Sequence, residues 1–337
     1  MAVLRNFPSP NTTGTPSNEP SRLRKVGVEI EFGGLSLHTA QRVLKAWLEG
    51  IHASIRVKQK GRYEYGFSGD PAGDWVIELD FALLKQMGRT NNDNRLLEAA
   101  EKSLAWLSEG VVPIEVVSPP LPLSALPPLE VLIQQLREAG AEGSSKKLTY
   151  AFGLQLNPEL PALTASFITR YLKSFLCLYE WLLSRINPDI SRRMSTYIEP
   201  FPDNYQALVL SSDYAPNMTE LIDDYLAHNP TRNRPLDLLP LFMHVDEKRL
   251  RAVVSDPLVK PRPTFHYRMP SCEIDQPDWG FHSVWNDWVL LELLAEHPEL
   301  LSEACALVTT NPHSALAPLE RVIIEPLKTH LAALDPL

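Results

Sequence analysis

Apolar and polar residues alternate most sharply near the start of the chain, in Val26-Gly27-Val28-Glu29-Ile30-Glu31-Phe32-Gly33-Gly34. Successive side chains of a β-strand point to opposite faces. Val28, Ile30 and Phe32 therefore belong on one side of a strand, and Glu29 and Glu31 on the other. Ile55 to Phe67 alternates around Gln59-Lys60-Gly61-Arg62 and reads as a hairpin. Asp74–Asp80 follows, with Trp75, Ile77 and Leu79 opposed to Glu78 and Asp80. Three more strands are expected. Val112–Pro120 carries Glu115 and is stopped by a double proline. Leu148–Asn157 sets Gly153, Gln155 and Asn157 opposite Phe152, Leu154 and Leu156. Thr264–Pro270 puts His266 and Arg268 on one face.

Between these strands the period changes to that of helices. Leu37, Ala40, Leu44, Trp47 and Leu48 form one stripe, with Ser36 or Thr39 placed to cap it. Leu97, Ala100, Leu104 and Leu107 form another, ending at Gly110. Pro127-Pro128 opens a helix that closes at Gly140. The longest and most apolar helix is expected over Thr164–Ile186. Shorter ones are expected at Thr219–His228 and Asp237–Val245, then around Trp285, Trp288, Leu291, Leu294 and Ala295, and last at Leu319–Leu334. Strands mixed with helices without strict βαβ alternation indicate an α+β fold on a mainly antiparallel sheet. Residues 1–23, rich in Pro, Ser, Thr and Asn, read as a disordered tail.

Composition narrows the function. With 337 residues, 44% hydrophobic and 22% charged, the chain can bury a large core. A net charge of -9 speaks against nucleic acid and anionic membrane as partners. The three cysteines, Cys177, Cys272 and Cys305, are odd in number and far apart, which suits a reducing compartment rather than a disulfide framework or zinc ribbon. No apolar run is long enough to span a bilayer, and the N-terminus lacks the apolar region of a signal peptide. A soluble cytoplasmic protein is expected.

The expected strands share a property that composition alone does not show. Each has an apolar side, and a second side bearing groups able to hold a metal or an anion: Glu29 and Glu31, Glu78 and Asp80, Glu115, Gln155 and Asn157, His266 and Arg268. Clustered carboxylates repel, and burial without compensation is costly. A hard divalent cation offsets the repulsion. The alternative is a solvated acidic face, but such a face would carry more Lys, Thr and Ser. Arg268, a charge inside an apolar strand, calls for an anionic partner. Arg192, Arg193, Lys260 and Arg262 are loop cations able to meet a nucleotide or substrate phosphate. Trp279, Trp285 and Trp288 read as core, and Cys272 as an inert thiol.

At these motifs, GVEIEF (27–32), WVIELD (75–80), IEVVSPPL (114–121), FGLQLN (152–157) and YRMP (267–270), the chain resembles the amidoligase family. That family belongs to the superfamily of carboxylate–amine ligases that includes glutamine synthetase and glutamate–cysteine ligase. The resemblance implies a catalytic domain over 24–337, built on a curved antiparallel sheet that holds ATP and two or three Mg²⁺ or Mn²⁺ ions. A substrate carboxylate, of glutamate or a glutamyl-like group, would be activated as an acyl-phosphate. A small-molecule or peptide amine would then displace phosphate. By the same resemblance Glu31 and Glu115, with Glu78 or Asp80, hold one metal and Glu29 a second, while Arg268 steadies the transferring phosphoryl group. Homo-oligomerisation of open stoichiometry is also implied.

The chain departs from the family pattern where related ligases carry Gly-Leu-His-Val-His: here stands Gly153-Leu154-Gln155-Leu156-Asn157, and His266 replaces a common glutamate. A metal held by Glu29, Gln155 and His266 is chemically allowed. Two other readings follow. One is a non-catalytic relative that keeps the sheet as a ligand-binding or interaction module. The other is a metal-dependent hydrolase built on the same carboxylates.

Overall fold

Four alternate apolar side chains decide where the first strand lies. In the computed structural model, which describes residues 24–61, 63–80, 112–146, 151–186, 198–310 and 314–334, Val26, Val28, Ile30 and Phe32 are completely buried or nearly so. They sit on β1 (Lys25–Phe32). The other strands are β2 (Arg56–Gly61), β3 (Glu64–Asp70), β4 (Gly73–Leu79), β5 (Ile114–Val117), β6 (Leu121–Pro122), β7 (Leu154–Pro158), β8 (Leu236–Asp237) and β9 (His266–Tyr267). Together they make one unclosed nine-stranded sheet in the order β2-β3-β4-β5-β1-β7-β9-β8, with β6 also paired to β1. The named strands pair antiparallel throughout. β1 lies in the interior of this order because both its edges are paired.

Helices flank the sheet. α1 (Leu37–Ile51) starts at Ser36, whose side chain accepts from the Thr39 N–H, and buries Leu44, Trp47 and Leu48. Trp47 meets Trp75 of β4 edge-on, with ring centroids 5.3 Å apart. The turn into α1 needs Gly34, at φ +79°, because a Cβ there would stand 2.6 Å from the Gly140 carbonyl. α2 (Leu129–Glu138) follows the double proline. α3 (Ala165–Ser184), capped by Thr164, backs β9: Tyr171 stacks on Phe265, and Phe175 meets Tyr267 edge-on. Beyond it come α4 (Asp203–Leu210), α5 (Met218–His228), α6 (Leu239–Val245) and α7 (Glu247–Arg251). α8 (Phe281–Glu296) packs against α3, with the Ser174 hydroxyl donating to the Leu291 carbonyl, and α9 (Pro298–Thr310) comes next. Among the described residues, no helix is long and apolar enough to cross a membrane.

The expected α+β class with an antiparallel sheet is what the structure has. Differences lie in short elements. The hairpin turn falls later than read, since β2 runs to Gly61 and β3 starts at Glu64. The two-residue strands β6 and β8 and the helices α4, α7 and α9 were not anticipated. Two residues carry no period to read, and α9 begins at Pro298 after a break of one residue, His297. The closing helix is broken into α10 (Leu316–Leu319), a π-helical stretch at Glu320–Ile324 and α11 (Glu325–Leu334). Pro326 is the physical reason, because its ring crowds the carbonyl four residues back and lacks a donor. The expected helix at 97–107, the tail 1–23, and Arg192 and Arg193 lie outside the described residues.

One buried ion pair fixes the chain just before β1. Arg24 donates from Nη1 to Glu292 Oε2 at 2.8 Å, from Nη2 to Oε1, and from Nε to the Glu159 carbonyl at 2.6 Å. Glu292 is fully buried on α8 and also accepts from Trp288 Nε1 at 2.6 Å. Breaking one side of such a pair leaves an uncompensated buried charge, which costs about 3–5 kcal/mol. Glu292→Ala is therefore expected to lower unfolding free energy by about that amount in urea titration. Arg24→Ala in the same background should add much less than it costs alone, a coupling read from the double-mutant cycle.

Candidate active site

The register of β4, β5, β1 and β7 decides which polar side chains meet. Directly opposite residues share a face in an antiparallel pair. Glu78 faces Glu115, and Glu115 faces Glu31, so three carboxylates form a row across β4, β5 and β1. In the next row Glu29 lies between Val117 and Gln155, and beyond it Gly27 opposes Asn157. Asp80 directly follows β4 and acts electrostatically on both Glu31 and Glu115. The five acids read from the sequence are thus brought onto one face, opposite the core.

Their electrostatics record the crowding. Burial, followed by the Asp80 charge, pushes Glu31 up to about 7, although a Gly153 N–H, Arg268 and Gln155 oppose the rise. Glu115 is held well above the usual carboxylate range by burial and by Glu29, Glu31, Asp80 and Glu78. Glu78 is raised by burial and by Glu64, a neighbour across β3 that sequence periodicity did not single out. Glu31 nonetheless accepts two hydrogen bonds of 2.8 Å, from the Gly153 N–H to Oε2 and from Gln155 Nε2 to Oε1. Gln155 Oε1 in turn lies 2.8 Å from His266 Nε2. Gln155, the register partner of Glu29, thus turns its amide toward Glu31 and His266. Asn157 Nδ2 takes Glu29, donating to its Oε1 at 3.0 Å.

Cations border the acids on the β7–β9 side. Arg262 Nη1 stands 3.6 Å from Glu29 Oε1. Arg268 donates from Nη1 to the Arg232 carbonyl, and its Nε is buried without a hydrogen-bond partner. Arg232 sits close enough to Arg268 to have its guanidinium pKa lowered, first by burial and then by that like charge, while Asp237, Asp256 and Glu29 oppose. Arg232 was not picked out from the sequence, because a loop arginine in Thr231-Arg232-Asn233-Arg234 looks like any solvated one. Asp237 was missed for a similar reason. It is wholly buried on two-residue β8, 3.7 Å from His266 Nδ1. Lys260 is exposed, two residues before Arg262.

The donor set suits a hard cation. It offers carboxylate oxygens in excess and the buried Oδ1 of Asn157, which has no hydrogen-bond partner beside Glu29. Among the described residues no three His, Cys, Asp or Glu side chains stand together as a ready metal cluster, so ligation here asks for side-chain rotation. Two surface clefts, of about 670 and 620 Å³, lie elsewhere, one beside α5 and α7 and the other between α3 and α9.

A family model described as "Putative amidoligase enzyme" covers residues 22–290. No curated protein and no solved structure matches the chain.

The raised carboxylates set a pH dependence. A carboxyl with a folded pKa above its unfolded value binds more protons when folded, so stability falls as pH rises from about 4.5 to about 7, the interval over which Glu31 is shifted. Asp287, pushed up to about 6 by burial, titrates in the same interval, so a variant must separate the two. Glu115→Gln removes one of the crowded charges. In chelator at pH 8 it is expected to be more stable than the native chain by about 1–2 kcal/mol, with little difference at pH 5, measured by urea unfolding. Added Mg²⁺ should stabilise the native chain at pH 8 more than the variant.

Proposed function

The chain belongs to the amidoligase family, and on that footing we propose that it is an ATP- and Mg²⁺-dependent carboxylate–amine ligase. The observation that carries this reading is the division of one sheet face into an acidic half, Glu29, Glu31, Glu78, Asp80 and Glu115, and a basic border, Arg232, Arg262 and Arg268, which meet at Glu29. A nucleoside triphosphate with divalent metal needs both: carboxylates for the metal and guanidinium groups for phosphate oxygens.

In the proposed reaction a substrate carboxylate oxygen attacks the γ-phosphorus of ATP. The bond to the bridging oxygen breaks, and ADP leaves. An amine then attacks the acyl-phosphate carbon, loses a proton and expels inorganic phosphate, leaving an amide or isopeptide bond. Metal bound by the acidic half would neutralise charge on the triphosphate. The chain's own residues hold and orient. Glu31 and Glu115, with Glu78 or Asp80, supply oxygens at the centre, and Glu29 supplies them at the border with the arginines. The buried Nε of Arg268 has no hydrogen-bond partner, and a shift of that side chain would bring it to a phosphoryl oxygen, where catalysis rests on positioning and charge. Arg262 and Arg232 flank it, and Lys260 lies at the outer edge. Glutamate or a glutamyl-like carboxylate is the expected acid, with an amino acid, polyamine, peptide or cell-wall fragment as the amine. The sheet fits a glutamine synthetase-like scaffold in being broad, antiparallel and polar on one face.

One observation favours a second reading, a non-catalytic binding module. Gln155 Oε1 and His266 Nε2 are engaged with each other, so neither is free for a metal without rearrangement.

ADP release with Mg²⁺, ATP, glutamate and a pool of amines separates the readings, with mass spectrometry of the product. Turnover is expected, with a product heavier by a glutamyl unit. Arg268→Ala should lower the rate about 100-fold or more while leaving the fold intact, and Glu29→Gln should abolish it. A folded protein that binds neither metal nor ATP is the binding module. One that needs metal but no nucleotide is a hydrolase.

A further inference from the structure

Cys177 on α3 and Cys305 on α9 are 128 residues apart in sequence, yet their sulfurs lie 3.6 Å apart. The sequence gives no hint of this, since neither cysteine belongs to a motif. The third thiol, Cys272, is completely buried in the segment after β9.

The two paired thiols are unequal. Cys305 borders the cleft of about 620 Å³ between α3, residues 210–216 and α9, whose wall also includes Thr169, Lys173, Tyr214 and Leu301. It keeps 9% of its surface exposed, against 2% for Cys177 behind it. Lys173 lies one helical turn before Cys177 and faces the same cleft. The hydrogen bond from Cys177 and the Lys173 charge hold the Cys305 thiol below its usual range, against the effect of burial. The hydrogen bond to Cys305, burial and the charge of that neighbour push Cys177 well above it. Thiolate character and access are what make a cysteine reactive, and of the two Cys305 is favoured on both counts.

We propose that Cys177 and Cys305 form an oxidisable dithiol, in which Cys305 is the thiol reached by a small hydroperoxide through the cleft and Cys177 resolves it to an intramolecular disulfide. The Cys305 thiolate attacks one peroxide oxygen. An S–O bond forms, the O–O bond breaks, and the leaving hydroxide takes a proton to become water. Cys177 then gives up its proton and attacks the Cys305 sulfur. The S–S bond forms, the S–O bond breaks, and the second hydroxide leaves as water with that proton. Two thiols and one peroxide give a disulfide and two waters, with sulfur oxidised and peroxide oxygen reduced. The sulfurs must close from 3.6 Å to about 2 Å, a shift within reach of side-chain rotation and slight helix movement. The product ties α3 to α9. Since α3 also carries the Tyr171 and Phe175 contacts to Phe265 and Tyr267, the tie sits one helix behind the strand bearing His266.

The test uses the full chain, reduced and freed of reductant, then treated with hydrogen peroxide or with a bulky aromatic disulfide. Peroxide is expected to give a monomer lighter by two hydrogen atoms, with one cross-linked peptide joining Cys177 to Cys305 in a non-reducing digest, reversed by dithiothreitol. The aromatic disulfide should react far more slowly with the folded chain, because the cleft admits a small oxidant to a thiol only 9% exposed. Cys305→Ser should lose the product entirely. Cys177→Ser should instead accumulate a sulfenic acid trapped by dimedone at Cys305, and Cys272→Ser should behave as the native chain. The native mapping needs no variant to fold. Oxidation first at Cys272, disulfide only between molecules, or no reaction until the chain is unfolded would each overturn the proposal.

Discussion

The pleat of β1 is the constraint on which the rest depends. Because its side chains alternate, one strand must anchor the core through Val26, Val28, Ile30 and Phe32 and at the same time lift Glu29 and Glu31 to the other face. A slip of one residue in its pairing with β5 or β7 would exchange the two sets, driving carboxylates into the core. Burial of the apolar set therefore also fixes the rows Glu78–Glu115–Glu31 and Glu29–Gln155. The backbone of Ser118 holds the end of that register. Its N–H donates to the Val28 carbonyl at 2.9 Å, and its hydroxyl accepts from the Val28 N–H at 2.8 Å, where the following prolines cannot continue the ladder.

What the fold gathers is electrostatically costly without a ligand. Like charges on adjacent strands raise one another's pKa, and the structure answers with partial compensation, including two hydrogen bonds to Glu31 and, at Glu29, the Asn157 amide and an arginine border. A protein selected only for stability could place Thr or Lys at several of these positions. Strongly perturbed ionisable groups in a cluster are a mark of sites that bind or react. The Arg24 guanidinium is perturbed too, yet Glu292 satisfies its charge on another side of the fold, so it reads as structural.

Much of this was legible in the sequence, for a physical reason. Long strands with strict alternation, such as β1 and β4, announce both their faces, and long helices such as α3 announce their apolar stripe. The five acids and Arg268 could therefore be assigned to one face before any coordinates. Arg232 and Asp237 could not. They stand in a proline-bounded loop and a two-residue strand, where no period exists, and only the pairing of β8 with β9 brings them to the site. The Cys177–Cys305 contact was equally invisible, since it depends on how two helices cross. Glycine spacing held a weaker clue: at Gly27 a Cβ would press on Asn157 Cβ at 3.3 Å, so the side chain that reaches Glu29 needs a glycine opposite it.

Gln155, Asn157 and His266, which stand where the resemblance implies two histidines and a glutamate, are all engaged in this geometry. Glu31 accepts from Gln155 Nε2, so the Gln155 amide is fixed with Oε1 toward His266. An amide oxygen only accepts, and His266 Nε2 must therefore carry a proton. The other ring nitrogen, Nδ1, is left facing Asp237 Oδ2 at 3.7 Å, an oxygen that has no hydrogen-bond partner and lies in full burial. The direction of donation runs from β9 through β7 to β1, ending on Glu31, the carboxylate at the β1 end of the row. A histidine at 155 could not both donate to Glu31 and accept from His266 without a particular tautomer, whereas an amide does both in one protonation state at any ordinary pH. Gln155 and His266 thus form one hydrogen-bonded set with Glu31, while Asn157 serves Glu29 separately.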